Sequence, residues 1–118
     1  MILLFIKMNV LPEKRKELLQ TLEAILERIR KETGCVNADF YQDMTNHRGF
    51  ILIEEWRNQE DLENHIRSDI FSVLLGVKGL LDQTAVIESH TVSRSSGMEA
   101  FLKTRPLLIS ADWKVPPP

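Results

Sequence analysis

The chain has 118 residues, of which 43% are hydrophobic and 27% are charged, and its formal net charge is −2. This length suits one domain with a single core. The near-neutral charge argues against nucleic acid as a partner, and the apolar runs are shorter than the ~20 residues of a membrane span, so we expect neither nucleic acid nor membrane binding. A single cysteine, Cys35, excludes an intramolecular disulfide and leads us to expect a cytoplasmic location.

The first third of the chain predicts a strand followed by a long helix. Ile2–Asn9 is an almost unbroken apolar run, which is typical of a strand covered on both faces. Pro12 then suits the first turn of a helix. Leucine and isoleucine recur three and four residues apart over residues 13–32, which predicts an amphipathic helix with its C-cap near Gly34.

The middle of the chain predicts a hairpin and a second helix. Residues 36–42 and 50–56 have the composition of strands, and a polar, turn-rich loop joins them, which indicates an antiparallel hairpin. Asn58 is the predicted N-cap of a helix that begins near residue 59. We expect this helix to break near Ser68.

A fourth strand is predicted over residues 84–92, so the order is strand, helix, strand, strand, helix, strand. This order predicts an α+β, ferredoxin-like βαββαβ fold with an antiparallel sheet. The helices would cover one face of the sheet, while the first and third strands carry apolar side chains on both faces. We therefore expect a second copy to cover the other face in a symmetric homodimer.

The last part of the chain extends beyond this plan. We divide the chain into a domain at residues 1–93 and a C-terminal extension at residues 94–118. Residues 98–103 are predicted to form one helical turn, and residues 106–115 are apolar enough for an extra strand or a docked arm. We expect the extension to dock on the partner subunit.

Two stretches of the sequence, KETGCVNADFYQD and HRGFILIEEWRNQEDLENHIRSDIF, resemble a known family. Their most specific elements are the Gly34–Cys35 pair, the strand end at residues 53–56 and His65, nine residues after Trp56. Through them, residues 1–92 resemble the antibiotic-biosynthesis monooxygenase domain. The resemblance implies a dimeric α+β barrel of two ferredoxin-like subunits, with a pocket between the sheet and the helices of each one.

That family includes cofactor-free oxygenases of quinols and phenols, haem-degrading enzymes, and a branch that isomerises or breaks down autoinducer phosphates. Leu75 stands where the haem-degrading members have their iron ligand, and Ile70 stands where some quinol-type members have a second histidine. The chain has no Gly-rich phosphate loop and no nucleotide fingerprint. His47 lies in a turn and His90 shares a strand face with Glu88, so the histidines are scattered. We expect no cofactor and no metal.

His65 is the predicted catalytic residue. It lies three residues after Leu62, at the margin of the apolar face of the second helix. A neutral imidazole, with an ordinary pKa near ~6.5, can take a proton from a phenol or a quinol. The resemblance strengthens this role, because His65 matches the family's pocket histidine. The alternative is a packing histidine bonded to a carbonyl group.

Three residues are predicted to line the substrate pocket. Trp56 offers a flat aromatic wall for a planar substrate, and the alternative is a core tryptophan that closes the strand end. Asn9 ends the first strand and Tyr41 lies on the second strand, so both are candidate polar groups of the pocket. The alternative for these two is an ordinary role at a strand end or a turn.

Glu54 and Glu55 are neighbours on a predicted strand, so their side chains point to opposite faces. They therefore cannot act as a carboxylate pair. We expect the glutamate that faces the interior or the dimer interface to pair with Lys7, Arg57 or a residue of the partner subunit, rather than to act as a catalytic acid.

Three functions remain open from the sequence. The first is a cofactor-independent monooxygenase that oxidises a small quinol or phenolic substrate with O2. In it, His65, or water held by it, would deprotonate the substrate. The second is isomerase or lyase chemistry on a small molecule, as in the autoinducer-degrading branch. The third is a non-enzymatic ligand-binding dimer.

Overall fold

The computed structural model describes residues 1–106 of the chain. Residues 107–118, which include all but the first residue of the arm predicted at 106–115, lie outside the described residues. The elements in chain order are β1 Ile2–Asn9, α1 Arg15–Arg30, β2 Cys35–Gln42, β3 Gly49–Trp56, α2 Gln59–Ile66, α3 Asp69–Gly76, β4 Val86–Thr91 and α4 Met98–Thr104. Short 3-10 turns at Pro12–Lys14 and Val77–Leu80 precede α1 and follow α3.

The four strands form one antiparallel sheet in the order β2-β3-β1-β4. This confirms the predicted ferredoxin-like fold. The register places Leu4 of β1 between Glu54 of β3 and Ser89 of β4. Because successive side chains of a strand alternate between faces, these three side chains point to the same face of the sheet.

The core lies between that face and the helices. The apolar stripe predicted for α1 is buried, and the even-numbered side chains of β1 meet it. These buried residues are Leu18, Leu22, Ile25, Leu26 and Ile29 of α1 and Ile2, Leu4, Ile6 and Met8 of β1. Burial of this much apolar surface is the main source of stability for a domain of this size.

The predicted break in the second helix is confirmed at Ser68, which separates α2 from α3. The Ser68 hydroxyl donates to the carbonyl oxygen of His65 at 2.6 Å, and its oxygen accepts the backbone N–H of Phe71 at 3.2 Å. One side chain therefore closes α2 and caps α3. The bend directs both His65 and Phe71 toward the sheet.

The opposite face of the sheet has an apolar centre. Leu3 and Phe5 of β1 and Ile51 and Ile53 of β3 are partly exposed there. The expected homodimer would cover these side chains, and it stays a prediction. Within residues 1–106, no helix has both the length and the apolar character needed to cross a membrane.

Several boundaries differ from the sequence prediction by one or two residues; β4, for example, spans Val86–Thr91 instead of residues 84–92. The α1 helix ends at Arg30 instead of residue 32, because Lys31 is its C-cap and bonds back to Arg28 and Ile29. Glu32 therefore lies outside the helix. The segment predicted as one helical turn is part of α4, Met98–Thr104. Docking of the extension on a partner stays a prediction.

Candidate active site

His65 lies on the inner face of α2 with only 1% of its surface exposed. The helix begins where predicted, because the Asn58 side chain accepts the backbone N–H of Asp61 at 2.9 Å. Helical spacing then places Asp61, Leu62 and His65 on the same buried side. The imidazole consequently points into the domain, toward the sheet.

Glu54 comes from the facing strand, β3, and its side chain is fully buried. Its Oε1 accepts the indole N–H of Trp56 at 2.9 Å and lies 2.9 Å from His65 Nε2. The prediction that Glu54 and Glu55 point to opposite faces is confirmed. Two of the partners expected for the inward glutamate were wrong, because Lys7 pairs with Glu88 and Arg57 pairs with Asp61.

A third ionisable group completes the cluster. Glu32 follows α1, and its Oε2 lies 2.7 Å from His65 Nδ1. The Glu32 side chain is 19% exposed, whereas those of His65 and Glu54 are completely enclosed. His65 thus has one carboxylate at each ring nitrogen. We call these three residues, Glu32, His65 and Glu54, the buried triad.

Glycine at position 34 holds the segment that carries Glu32 against α2. Gly34 has φ +84°, a left-handed conformation, and a Cβ there would overlap the carboxylate of Asp61. Its carbonyl accepts the backbone N–H of Arg57 at 2.8 Å, and the Arg57 guanidinium donates to Asp61 Oδ2 at 2.9 and 3.1 Å. This close packing fixes the distance between Glu32 and the helix that bears His65.

The contact between His65 and Glu54 is short but poorly directed. Although Nε2 and Oε1 are 2.9 Å apart, the angle is not that of a hydrogen bond. His65 Nε2 and Glu54 Oε2 are therefore buried polar atoms without a hydrogen-bond partner among the described residues. Native proteins rarely leave such groups unpaired outside functional sites. Each of the two atoms thus keeps an unused hydrogen-bonding position inside the domain.

The triad changes the pKa of His65. Burial alone would lower this pKa, but the close contact with the negative charge of Glu54, together with the charge and hydrogen bond of Glu32, outweighs burial and raises the pKa above its ordinary value. The imidazole is therefore biased toward its charged form. In that form it can hold a proton between the two carboxylates or stabilise a developing anion.

Aromatic rings enclose the imidazole. Trp56 stacks on it with 4.5 Å between ring centroids, and Phe71 contacts it edge-on at 5.3 Å. Trp56 is completely buried and closes the strand end, as in the alternative kept for it. These rings keep bulk water away from His65, which strengthens its electrostatic interactions with the two glutamates.

Phe71 also lines a cavity of about 580 Å³ between the sheet and α3. The cavity lies beside β4 and its walls are mostly apolar. Its lining residues are Ile6, Phe71, Leu74, Leu75, Val77, Lys78, Leu81, Asp82, Gln83, Thr84, Ala85 and Ile87. Ile6 follows Leu4, the cross-strand partner of Glu54, by two residues on the same face of β1. A single phenyl ring thus contacts both the triad and the cavity.

The other two predicted pocket residues lie elsewhere. Asn9 and Tyr41 line a second hollow of about 560 Å³, to which Lys7 and Ile51 on the opposite face of the sheet also contribute. The Asn9 side chain accepts a hydrogen bond from Asn46 at 2.9 Å, and Tyr41 is half exposed. The structure therefore brings His65 and Trp56 together but separates both from Asn9 and Tyr41.

The opposite face also carries the pair expected between His90 and Glu88. His90 Nε2 lies 3.1 Å from Glu88 Oε2, which confirms the pairing, and Lys7 contacts Glu88 at 3.3 Å. His47 is exposed in its turn, as expected. Over residues 1–106, no group of three or more histidine, cysteine or acidic side chains is arranged to hold a metal ion.

Sequence comparison matches the chain to the antibiotic biosynthesis monooxygenase family over residues 1–74. Protein sll1783 of Synechocystis is 33% identical over 63 residues, which cover 53% of this chain but only 43% of that protein. A Bacillus subtilis protein with the provisional name of monooxygenase YcnE is 28% identical over 65 residues, 55% of this chain and 68% of that protein.

Structural comparison gives the same fold. A conserved protein from Methanosarcina mazei has a crystal structure that superposes with a TM-score of 0.72 and 31% identity, and the match covers 75% of this chain and 89% of that one. The matched family segment, residues 1–74, includes every member of the buried triad as well as Trp56 and Phe71.

Proposed function

The chain belongs to the antibiotic biosynthesis monooxygenase family, and from this premise we propose that it is a cofactor-independent monooxygenase that oxidises a small quinol or phenolic substrate with O2. The buried pair of Glu54 and His65 carries the proposal. Each has an unpaired polar atom in the interior, and Phe71 connects their surroundings with an apolar cavity. A base beside an apolar chamber suits a flat molecule with a weakly acidic hydroxyl group.

In this mechanism Glu54 and His65 act together as the base. They remove the hydroxyl proton of the substrate, and the resulting anion passes one electron to O2. The two radicals combine at a ring carbon to give a peroxide anion, which takes a proton back from the Glu54–His65 pair to become a hydroperoxide. The hydroperoxide then loses water and leaves a quinone. All electrons come from the substrate, so the protein needs only to orient the reactants, exclude water and stabilise the anion.

The lining of the cavity favours this substrate class over a sugar phosphate. A phosphate group needs several well-placed donors or cations. Among the described residues that line the cavity, Lys78 is the only basic one, and most of the others are aliphatic. The lining thus gives little support to isomerase or lyase chemistry on a phosphorylated substrate.

A second copy of the chain is proposed to cover the opposite face of the sheet. Its centre consists of Leu3, Phe5, Ile51 and Ile53, and burying such apolar side chains favours association. Asn9 and Tyr41, which lie on this face, would then belong to the interface rather than to the chamber beside Phe71. Sedimentation of Phe5→Asp tests this, because a charge at the centre of the interface should produce a monomer.

Oxygen uptake tests the activity. The purified chain is supplied with a panel of quinols and polyphenols while oxygen consumption and quinone formation are followed. His65→Ala should lower kcat about 10²–10⁴-fold, which is the usual contribution of a positioned acid or base. His90→Ala is the matched control, because it removes an exposed histidine, and it should keep full activity. Binding of a phenol without oxygen uptake would contradict the proposal and favour a ligand-binding dimer.

A further inference from the structure

The three groups of the buried triad form a graded path from the interior to the surface. Glu54 and His65 are fully enclosed, whereas Glu32 is 19% exposed, and the two steps along the path measure 2.9 and 2.7 Å. We propose that Glu32 is the solvent end of a proton relay, through which a proton taken up at Glu54 leaves by way of His65. This inference rests on the proposed function and assigns a role to Glu32 in it.

The base is sealed off from water, so its protons can exchange with solvent only through a neighbouring group. Trp56 stacks on one side of His65 and Phe71 meets its edge. Glu54 Oε1 already accepts the indole N–H, and Oε2 has no partner among the described residues. A proton that arrives at Glu54 would stay there unless a neighbouring group passes it on, and His65 Nε2 is the adjacent acceptor at 2.9 Å.

The transfer balances without any other reactant. His65 begins as a neutral imidazole whose proton is on Nδ1, facing Glu32. Glu54, as a carboxylate, takes the substrate proton and passes it to His65 Nε2, while the Nδ1 proton moves to the Glu32 carboxylate and from there to water. His65 is then neutral with its proton on Nε2. When the peroxide anion takes up a proton, the same steps run in reverse from water through Glu32, so all three residues return to their starting states and no net proton is released.

Glu32 is held for this task by its backbone. Its N–H donates to the carbonyl of Ile29 at 3.0 Å, and its own carbonyl accepts the N–H of Cys35 at 3.1 Å. The close approach of Gly34 to Asp61 fixes the same segment to α2. The carboxylate therefore stays at Nδ1 although it lies beyond the end of α1 and borders on solvent.

The other titratable groups around the triad do not compete with the relay. Cys35 is the nearest on β2, and burial, together with the charges of Glu54 and Glu32, raises the pKa of its thiol to about 11. It thus stays protonated near neutral pH and donates to the carbonyl of Asn37 instead. On α2, Asp61 is neutralised by the Arg57 guanidinium. Glu32 is therefore the group through which His65 exchanges protons with solvent.

The test compares Glu32→Gln with Glu27→Gln, which removes an exposed carboxylate from the same helix region. Glu32→Gln keeps the size and polarity of the side chain but cannot carry a proton. We expect kcat to fall about tenfold or more with little change in KM, and to recover partly in a concentrated small buffer that shuttles protons. Glu32→Asp should retain part of the activity, and Glu27→Gln all of it.

A second measurement does not depend on turnover. With 15N-labelled histidine, NMR follows the exchange of the His65 ring proton with solvent in the free protein. Glu32→Gln should slow this exchange about tenfold or more, while Glu27→Gln leaves it unchanged. Equal exchange in both variants, with matching thermal unfolding, would overturn the relay. Absence of oxygen uptake in the wild type would instead refute the proposed function, and the exchange rates would still decide the role of Glu32.

Discussion

The two faces of the sheet each carry a histidine beside a glutamate, and the two pairs behave differently. His65 and Glu54 are 2.9 Å apart and fully enclosed, whereas His90 and Glu88 are 3.1 Å apart with 51% and 36% of their side chains exposed. The distances are nearly equal, so distance does not separate them. Water screens the exposed pair, and such pairs contribute little to stability, whereas a buried pair interacts strongly and cannot lose one partner cheaply.

The charges that surround each pair also differ. On the exposed face, hydrogen bonds from His90 and from Lys7 lower the pKa of Glu88. In the interior, two carboxylates face one imidazole, and they raise the pKa of His65 despite its burial. The exposed cluster therefore favours the charged form of Glu88, and the buried cluster favours the charged form of His65. The buried cluster adjoins its cavity through the Phe71 ring, whereas Lys7 of the exposed cluster itself lines the second hollow.

Removing Glu54 should have the largest effect on stability. Glu54→Ala leaves the buried His65 without its Nε2 partner and the Trp56 indole without its acceptor. Breaking a buried pair in this way costs about 3–5 kcal/mol of unfolding free energy. Urea denaturation followed by tryptophan fluorescence measures it. Glu88→Ala is the control on the exposed face, and an equal loss in the two variants would show that burial does not distinguish the pairs.

Gly34→Ala should have the next largest effect. Alanine is strained at φ +84°, and its Cβ would overlap Asp61, so the segment that carries Glu32 must move away from α2. Holding a non-glycine residue in this conformation costs about 1–3 kcal/mol. Urea denaturation gives the loss, and NMR of the His65 ring reports the loosened contact with Glu32. Gly79→Ala is the control, because nothing lies within 4 Å of the added Cβ.

Much of the fold follows from periodicity in the sequence. The alternation of β3 predicts that Glu54 and Glu55 point apart, and the spacing of α2 turns His65 inward. Trp56 ends β3 and His65 lies on α2, the next element of the chain, so their proximity can be predicted from the local sequence. By contrast, the alternation of β2 does not show which hollow Tyr41 lines, because that depends on how the two faces are covered.

The contact between Glu32 and His65 could not be predicted from periodicity. It lies 33 residues before His65, in the charged last turn predicted for a helix whose outer face is full of glutamates. Only the early end of α1 and the left-handed Gly34 bring it to the imidazole. The one available signal was the glycine itself, because a left-handed residue beside a helix end often marks a tightly packed connection.

The pH dependence of stability should separate the two histidines. Because the folded-state pKa of His65 is raised, its contribution is complete below the unfolded value of ~6.5 and disappears as the pH rises through the folded pKa. The unfolding free energy should therefore decline above ~pH 6.5 in the wild type. His65→Gln should remove this decline and His90→Gln should keep it. A decline that persists unchanged in His65→Gln would contradict the assignment.

Neutralising Glu88 should have the smallest effect on the folded monomer. Glu88→Gln removes the charge between Lys7 and His90, but all three side chains are in contact with solvent, so unfolding at low protein concentration should match the wild type. The face that bears them is the one we propose to be covered by a second copy. There, Lys7 would enter the interface without its partner, so the variant should dissociate more readily in sedimentation experiments. Unchanged dissociation would place these three side chains outside the interface. A less stable monomer would instead show that water does not screen the charges of the cluster.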